Sequence, residues 1–444
     1  MSEDTFPGGL DALRADYGAP FLLYGPYFCR ENMWNQTLVP AGADAGVPFG
    51  HAASQAFYTQ VFEYALAHGG FAYEVDFMNE LYLGVPEFRQ NLDAATDWQA
   101  GMNAAAAATG LRVQFCMMHP SDLLNSLQFS HVTNGRASPD YASGSNWFIG
   151  HSSLLFEAVG LRPSKDNWWS GDGQMRQPGF HESNPGTNGE LNAILATMST
   201  GPVGPADGAG QHNATRLRRT CGADGRILGT ARPLTPVDAT YYAMIGGPRP
   251  IDAAALWSAN SHPAGGAGAP SQLSWHVLGV DVNASSLAVL RDDLFPPPPP
   301  AQLLAVRDFH RAAPCAEGAD AVQSGCLTAL SRGGSDPALL TMDRGVSWPF
   351  GTHTMQLYTV SPLAARQWVL LGELDKFVPI SHARFSDVQA SAAGVSAAVA
   401  GAAGEVVGVT ALQPAGAERW VVATQQVRVG DGGTGRFCLP AAAC

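Results

Sequence analysis

The stretch Phe71-Ala-Tyr-Glu-Val-Asp76, an apolar run that ends on an aspartate, gives the strongest indication of the fold. A second segment, His131-Val-Thr-Asn-Gly-Arg136-Ala-Ser-Pro-Asp140, also ends on an aspartate. Strands that deliver carboxylates from their carboxyl ends are typical of a (β/α) barrel, whose functional residues lie at that face. A retaining glycosidase needs two such carboxylates, because one attacks the anomeric carbon and the other donates and then accepts a proton. The two aspartates are therefore the candidate catalytic pair.

The chain from about residue 20 to 205 alternates between short apolar runs and helical stretches. This alternation predicts a parallel sheet with helical crossovers. Polar residues at the strand ends then predict a (β/α)8-type (TIM) barrel, of which only about six strands can be counted. The predicted strands are 21–28, 71–78, 111–118 and 131–137, with further strands near 167–169 and 197–203, and the predicted helices are 55–68, 93–109, 152–159 and 190–198.

After about residue 250 the chain reads as β-strands separated by turns rich in Gly and Pro. No helical pattern lies between these runs, so a C-terminal antiparallel β-sandwich is predicted. The predicted domains are a partial barrel over 1–250, a linker over 251–270 and the sandwich over 271–444. The predicted strands of the sandwich are 273–282, 354–360, 367–374, 405–412 and 420–429.

The composition is that of a folded acidic protein, with 46% hydrophobic residues among 444 and a formal net charge of −13. This charge disfavours nucleic acid and anionic membranes as partners and is compatible with a neutral sugar. No stretch reaches the roughly 18 apolar residues of a membrane span, and the start of the chain lacks a signal-peptide pattern. Cys315 can pair with Cys326 and Cys438 with Cys444, whereas no Cys/His spacing indicates zinc.

Each aspartate also has a structural interpretation. From pattern alone, Asp76 at a strand–helix turn is more typical of a helix N-cap than of a catalytic group. Arg136, Ser138 and Asp140 share parity, so an extended chain places them on one face, where Arg136 can orient a carboxylate or a sugar hydroxyl. The alternative for Asp140 is a polar turn closed by Pro139.

A series of motifs in this chain resembles the raffinose synthase and seed imbibition protein family, plant and algal relatives of α-galactosidases. The blocks follow the family's order: Phe-Pro-Gly-Gly-Leu, a Val-Asp strand, a Cys-Met segment, an Arg-Ala-Ser-x-Asp motif, a tryptophan segment, a Gly-Pro-Val loop and an Asp-Gly-Arg-Ile-Leu segment. In this chain they lie at 6–10, 75–76, 115–122, 136–141, 165–169, 199–213 and 224–233. The resemblance covers about residues 6–245 by motif and the β region by architecture alone.

The resemblance implies a retaining α-galactosidase-type barrel that acts on galactosides of the raffinose series and needs no metal or cofactor. It implies that Asp76 is the nucleophile and Asp140 the acid/base. Water as the acceptor would make the protein a hydrolase and a sugar hydroxyl would make it a transferase, and the sequence leaves this choice open. Core packing is the alternative for the tryptophans, since two adjacent rings cannot both face the site. The implied substrate-binding residues are Glu74, Cys116, Arg136, Asp166, Trp168 and Trp169.

Three departures from the family pattern define the competing hypotheses. Glu74 stands where the family has a lysine, and this charge reversal alters which sugar fits. Pro139 replaces the first acid of an acid pair, and the family's N-terminal β-domain and first two barrel strands have no counterpart here, so a fragment is expected. A non-catalytic carbohydrate-binding relative is the second hypothesis, and an unrelated two-domain protein is the third. The oligomeric state stays open, and the resemblance favours a cytoplasmic or plastid location.

Overall fold

The chain divides into two compact units. The first contains Met1–Ala137 and Leu155–Ser164, and the second contains Ser138–Leu154 and Lys165–Cys444. The domain boundaries expected from the sequence, at 251–270, stay a prediction. The computed structural model describes residues 8–29, 32, 34, 37–41, 45–138, 149–171, 188–238, 240, 254–262, 272–280, 287–299, 302–331, 338–342, 346–347, 354–416 and 418–441.

The first unit combines a parallel sheet with surrounding helices. Its strands are β1 (Phe21–Tyr24), β2 (Phe28–Cys29), β3 (Val39–Pro40), β4 (Ala45–Val47), β5 (Gly70–Val75), β6 (Arg112–Phe115), β7 (Val132–Arg136) and β8 (Arg162–Ser164). Its helices are α1 (Gly9–Tyr17), α2 (His51–Ala67), α3 (Met78–Gly84), α4 (Pro86–Gln90), α5 (Ala94–Thr109), α6 (Pro120–Asn125) and the last part of α7 (Ile149–Ala158).

The five strands of the parallel sheet lie side by side in chain order, β1-β5-β6-β7-β8. Every pairing is parallel. The register sets Tyr24 beside Glu74 and Val75 beside Phe115. The predicted parallel sheet with helical crossovers is confirmed over this part of the chain, and the carboxyl ends of its strands lie at a common edge. Closure into a barrel stays a prediction.

Helices α2 and α5 pack closely because small residues allow their backbones to approach. A Cβ at Gly101 of α5 would lie 2.4 Å from the carbonyl oxygen of His51. The buried positions of α5 recur three or four residues apart, as expected for one apolar helix face. The helix ends at Gly110, which adopts the left-handed conformation (φ 79°) that glycine accepts without strain. The buried residues of this face are Ala94, Trp98, Gln99, Gly101, Met102, Ala105 and Ala106.

The second unit is mainly antiparallel β-structure. Its helices are α8 (Gly189–Thr197) and α9 (Ala214–Arg218). Its first strands are β9 (Thr235–Pro236), β10 (Ala254–His262), β11 (Gln272–Val280), β12 (Leu287–Leu290), β13 (Leu303–Asp308), β14 (Ala329–Ser331), β15 (Ala338–Met342), β16 (Val346–Ser347) and β17 (Thr354–Leu363). Its last strands are β18 (Val369–Gly372), β19 (Phe385–Ala390), β20 (Val395–Ala400), β21 (Val406–Pro414), β22 (Trp420–Arg428) and β23 (Thr434–Leu439).

Two three-stranded sheets near the C-terminus share one hydrophobic core. The sheets are β18-β21-β22 and β19-β20-β23. Alternate residues of β20 and of β21 enter this core, because successive side chains of a strand point to opposite faces. The predicted C-terminal antiparallel sheets are therefore confirmed. The contributing residues include Val395, Ala397 and Val399 from β20 and Val407, Val409 and Ala411 from β21.

Two sequence expectations for the second unit have different outcomes. The strand expected at 197–203 is wrong, because Thr197 ends α8 and the residues that follow form no strand. A proline at position 202 has no N–H to donate to a ladder, and the pairing in this region is a single parallel bridge between Trp168 and Pro205. The disulfide between Cys315 and Cys326 is confirmed, whereas Cys444 of the other expected pair lies outside the described residues.

Candidate active site

Asp76 directly follows β5, at the carboxyl edge of the parallel sheet. Cys116 holds the equivalent place after β6, and its N–H donates a hydrogen bond of 2.9 Å to the carbonyl oxygen of Val75. Glu74 precedes Asp76 by two residues, and alternate residues of a strand share a face. Arg136 is the last residue of β7. The sheet therefore brings four of the predicted site residues to one edge of the first unit.

Both carboxylate oxygens of Asp76 accept hydrogen bonds. The Tyr24 hydroxyl donates to Oδ2 at 2.8 Å, and the backbone N–H of Phe77 donates to Oδ1 at 2.7 Å. The residue is 8% exposed. Helix α3 begins at Met78, its N-cap is Phe77, and no side chain caps it. The N-cap interpretation of Asp76 is therefore wrong, because its oxygens serve other partners.

The backbone around Asp76 is strained in a way that repeats on the neighbouring strand. Phe77 and Met117 each lie two residues beyond a strand and adopt left-handed φ values of 53° and 52°. This conformation costs roughly 1–2 kcal/mol for a residue with a Cβ. The N–H of Asn79 donates to the carbonyl oxygen of Met117 at 2.9 Å, which ties the two turns together. Such strain persists where the surrounding structure enforces it, often at functional sites.

The polar groups at this edge act on one another electrostatically. Burial raises the pKa of Glu74 above its ordinary 4.5, and the negative charge of Asp76 adds to the rise while Arg136 opposes it. Burial also raises the pKa of the Cys116 thiol, again against the charge of Arg136. Burial and the hydrogen bond to Asp76 raise the pKa of Tyr24 above its ordinary 10.0. At neutral pH the thiol and the phenol are therefore protonated, so both are neutral donors.

The remaining predicted residues belong to the second unit, and one of them lies outside the residues that the structure describes. Asp140 is not among the described residues. Asp166 is half-buried, and its N–H donates to the hydroxyl of Ser138 at 2.9 Å. Trp168 is 1% exposed and Trp169 is 8% exposed. Burial of both tryptophans agrees with core packing, and their role in sugar binding stays a prediction.

Tyr24 contacts Asp76 at this sheet edge, and the sequence did not predict this contact. It is separated from Asp76 by 52 positions, and the first half of the chain contains several other tyrosines with equal claim. The available signal was its place at the end of the strand run Phe21–Tyr24, which pairs in register with β5. Only the pairing of the two strands distinguishes it from the rest.

The glycine-rich loop after α8 is organised by one buried carboxylate. Asp207 accepts hydrogen bonds of 2.7 Å from the hydroxyl of Ser170 and from the N–H of Gly171. His212, which is half exposed, lies 3.2 Å from the same carboxylate through Nδ1. The Ser170 hydroxyl also accepts from the N–H of Asn213 at 2.9 Å. These contacts fasten the loop to the segment at Ser170 and Gly171 and give it a structural role.

Within the described ranges, no group of three or more His, Cys, Asp or Glu residues is arranged to hold a metal ion. None of the helices that the structure describes is both long and apolar enough to cross a membrane.

Comparison with known proteins gives distant similarity in structure alone. No protein-family model matches the chain, and no curated protein matches it. One similar solved structure is the GH36 α-galactosidase AgaA from Geobacillus stearothermophilus, which is 11% identical with a TM-score of 0.44. The match covers 80% of this chain and 47% of that enzyme, so the chain spans about half the enzyme's length. These values are too low to assign the chain to that enzyme's family.

Proposed function

We propose that this protein is a retaining glycosidase-type enzyme that acts on α-galactosides, by hydrolysis or by galactosyl transfer. The observation that carries the proposal is the environment of Asp76. This carboxylate lies at the carboxyl end of a parallel strand, both its oxygens accept hydrogen bonds, and 8% of the residue is exposed. A nucleophile needs this combination of fixed orientation and residual access. The ordered motifs that resemble the raffinose synthase family support the choice of substrate.

In the proposed mechanism, Asp76 attacks the anomeric carbon and Asp140 protonates the departing oxygen. The covalent glycosyl-enzyme then reacts with water or a sugar hydroxyl, which Asp140 deprotonates. Glu74, Cys116 and Arg136 are proposed to contact the sugar from the same sheet edge. Asp166, Trp168 and Trp169 are proposed to line the site as the family motif implies.

The strand order supports a barrel as the setting of this site. Right-handed crossovers between parallel strands in strictly sequential order put all the helices on one face of the sheet. A doubly wound sheet instead reverses its order at a switch point and covers both faces. The sequential order β1-β5-β6-β7-β8 therefore supports the proposal that the sheet curls to bury its second face, as a (β/α) barrel does.

Replacement of Asp76 by Asn tests the nucleophile. Turnover of an aryl α-galactoside should fall by at least about a thousandfold, as for other nucleophile deletions. Asp97→Asn on the exposed face of α5 is the matched control and should leave turnover unchanged. The first sugar released by the unchanged enzyme should be the α anomer in proton NMR. Full turnover by Asp76→Asn, or release of the β anomer, would contradict the mechanism.

A non-catalytic carbohydrate-binding relative is the second candidate, and Glu74 is the observation that favours it. A half-buried carboxyl group with a raised pKa, next to Asp76, adds a competing acid to the proposed nucleophile site. This candidate predicts that galactosides bind, by calorimetry, with the same affinity to the unchanged protein and to Asp76→Asn, and that neither protein turns them over.

A further inference from the structure

The strand next to β5 supplies a phenol to Asp76. Tyr24 ends β1, directly beside Glu74 in the parallel register, and its hydroxyl reaches forward to Asp76 Oδ2 at 2.8 Å. About half of the Tyr24 side chain is exposed, so the ring is not needed to fill the core. The contact therefore needs an explanation other than packing.

The proton of this hydrogen bond belongs to Tyr24. Burial is the first cause that raises the pKa of Tyr24 above 10.0, and the hydrogen bond and charge of Asp76 add to it. The phenol is therefore the donor at neutral pH and the carboxylate is the acceptor. Such a charge-assisted bond is stronger when the carboxylate carries its full charge than when that charge is lost.

We propose that Tyr24 is a positioning residue that orients Asp76 and stabilises its carboxylate as the glycosyl-enzyme breaks down. This inference rests on the proposed function. When the ester forms, an Asp76 oxygen bonds to the anomeric carbon, the bond to the leaving oxygen breaks, and that oxygen takes its electron pair and a proton from Asp140. When the ester breaks, the acceptor oxygen gives its proton to Asp140 and bonds to the same carbon, and the electron pair of the broken ester bond returns to Asp76. Tyr24 keeps its proton throughout.

The two steps make opposite demands on the hydrogen bond. Ester formation removes charge from Asp76 and weakens the bond, whereas ester breakdown restores the charge and strengthens it. Loss of the phenol should therefore slow the second step more than the first. With a substrate whose leaving group departs easily, the glycosyl-enzyme should accumulate, and kcat and KM should then fall together.

Tyr24→Phe removes only the hydroxyl oxygen and is the direct test. For an activated aryl α-galactoside, kcat should fall about 10- to 100-fold, the range for loss of a hydrogen bond to a charged group, with a parallel fall in KM. Tyr17→Phe, at a 74% exposed tyrosine of the same unit, is the matched control and should leave both constants unchanged. A kcat within twofold of the unchanged enzyme would overturn the proposal.

A second measurement needs no turnover. In protein labelled at the tyrosine Cζ carbon, the Tyr24 resonance, assigned by its absence in Tyr24→Phe, should titrate at lower pH in Asp76→Asn. An unchanged Tyr24 titration would overturn the contact. If Asp76→Asn abolishes turnover but Tyr24→Phe does not alter it, this inference fails and the proposed function stands. If the unchanged protein turns over no α-galactoside, the proposed function fails, and the role proposed for Tyr24 fails as well.

Discussion

Glu190→Gln should destabilise the second unit strongly at neutral pH. Glu190, in α8, is 1% exposed. It accepts hydrogen bonds from Arg216 Nε at 3.0 Å and Arg219 Nη1 at 2.7 Å, and His310 Nε2 lies 3.6 Å away. Arg216 is itself buried, with 2% of its side chain exposed. One carboxylate therefore compensates the charge of a guanidinium that has little contact with water.

The cost follows from the buried guanidinium of Arg216, which loses its carboxylate partner. Removing one partner of a buried ion pair costs roughly 3–5 kcal/mol, because the remaining charge stays desolvated. Glutamine keeps the volume of the side chain and one acceptor oxygen, so the lower part of this range applies. For a unit of this size, such a loss lowers Tm by roughly 5 °C.

The loss should depend on pH. Burial by itself raises the pKa of Glu190, but the His310 ring and the two arginines outweigh it, so the folded-state pKa lies below the ordinary 4.5. A carboxyl with a lowered folded pKa contributes stability above its unfolded pKa and loses that contribution as pH falls through the folded value. The difference in Tm between the two proteins should therefore be full at pH 7 and smaller at pH 3.

Calorimetric unfolding at these two pH values measures the effect. Arg419→Gln is the matched control, since Arg419 pairs with Asp320 at 3.0 Å but is 63% exposed. An exposed pair of this kind contributes less than about 1 kcal/mol. If Glu190→Gln lowers Tm at pH 7 no more than Arg419→Gln does, then the buried cluster does not stabilise the unit as argued.

Two further changes test other parts of the structure. Gly372→Ala should unfold the second unit or lower its Tm far more than Gly404→Ala does. Both glycines are left-handed, but a Cβ at Gly372 would lie 2.1 Å from the carbonyl oxygen of Pro379, whereas one at Gly404 meets nothing within 4 Å. Equal melting temperatures of the two variants would contradict this. Glu74→Gln should raise the stability of the first unit relative to the unchanged protein, and more so at pH 8 than at pH 4. A carboxyl with a raised folded pKa costs stability once pH exceeds its ordinary 4.5. A difference in Tm between the two proteins that does not change with pH would contradict the sign.

Sequence pattern was sufficient for helices and strands that the periodicity of consecutive residues defines. The helices expected at 55–68 and 93–109 correspond to α2 (His51–Ala67) and α5 (Ala94–Thr109), and the expected strand 71–78 to β5. Pattern failed at 197–203, where a short segment of mixed polarity follows a helix that is buried on all sides. The segment shows no periodicity that separates a strand from a loop. Sequence alone therefore located the strand ends but not every boundary.

The site was predictable only where the strand itself specifies it. The placement of Asp76 and Arg136 at this edge follows from the strand ends, because parallel strands present those ends together. Glu74 and Cys116 were implied only by the family resemblance. The contact with Tyr24 spans 52 positions and depends on which strand pairs with β5, and the sequence does not encode that choice locally. The helix N-cap was the favoured interpretation of Asp76 for the same reason, since a local pattern cannot show where the carboxylate oxygens bind.

The features around Asp76 are ones that stability alone does not explain. The Phe77 turn costs roughly 1–2 kcal/mol that a glycine would avoid, yet its N–H is thereby aimed at Oδ1. Glu74 is kept near the carboxylate although burial and the charge of Asp76 both oppose its ionisation. A strand–helix turn with no other role would be more stable with a side-chain N-cap and with glycine at the left-handed position of Phe77. Strain, a crowded pair of acids and an engaged phenol at one strand end together favour selection for chemistry at Asp76.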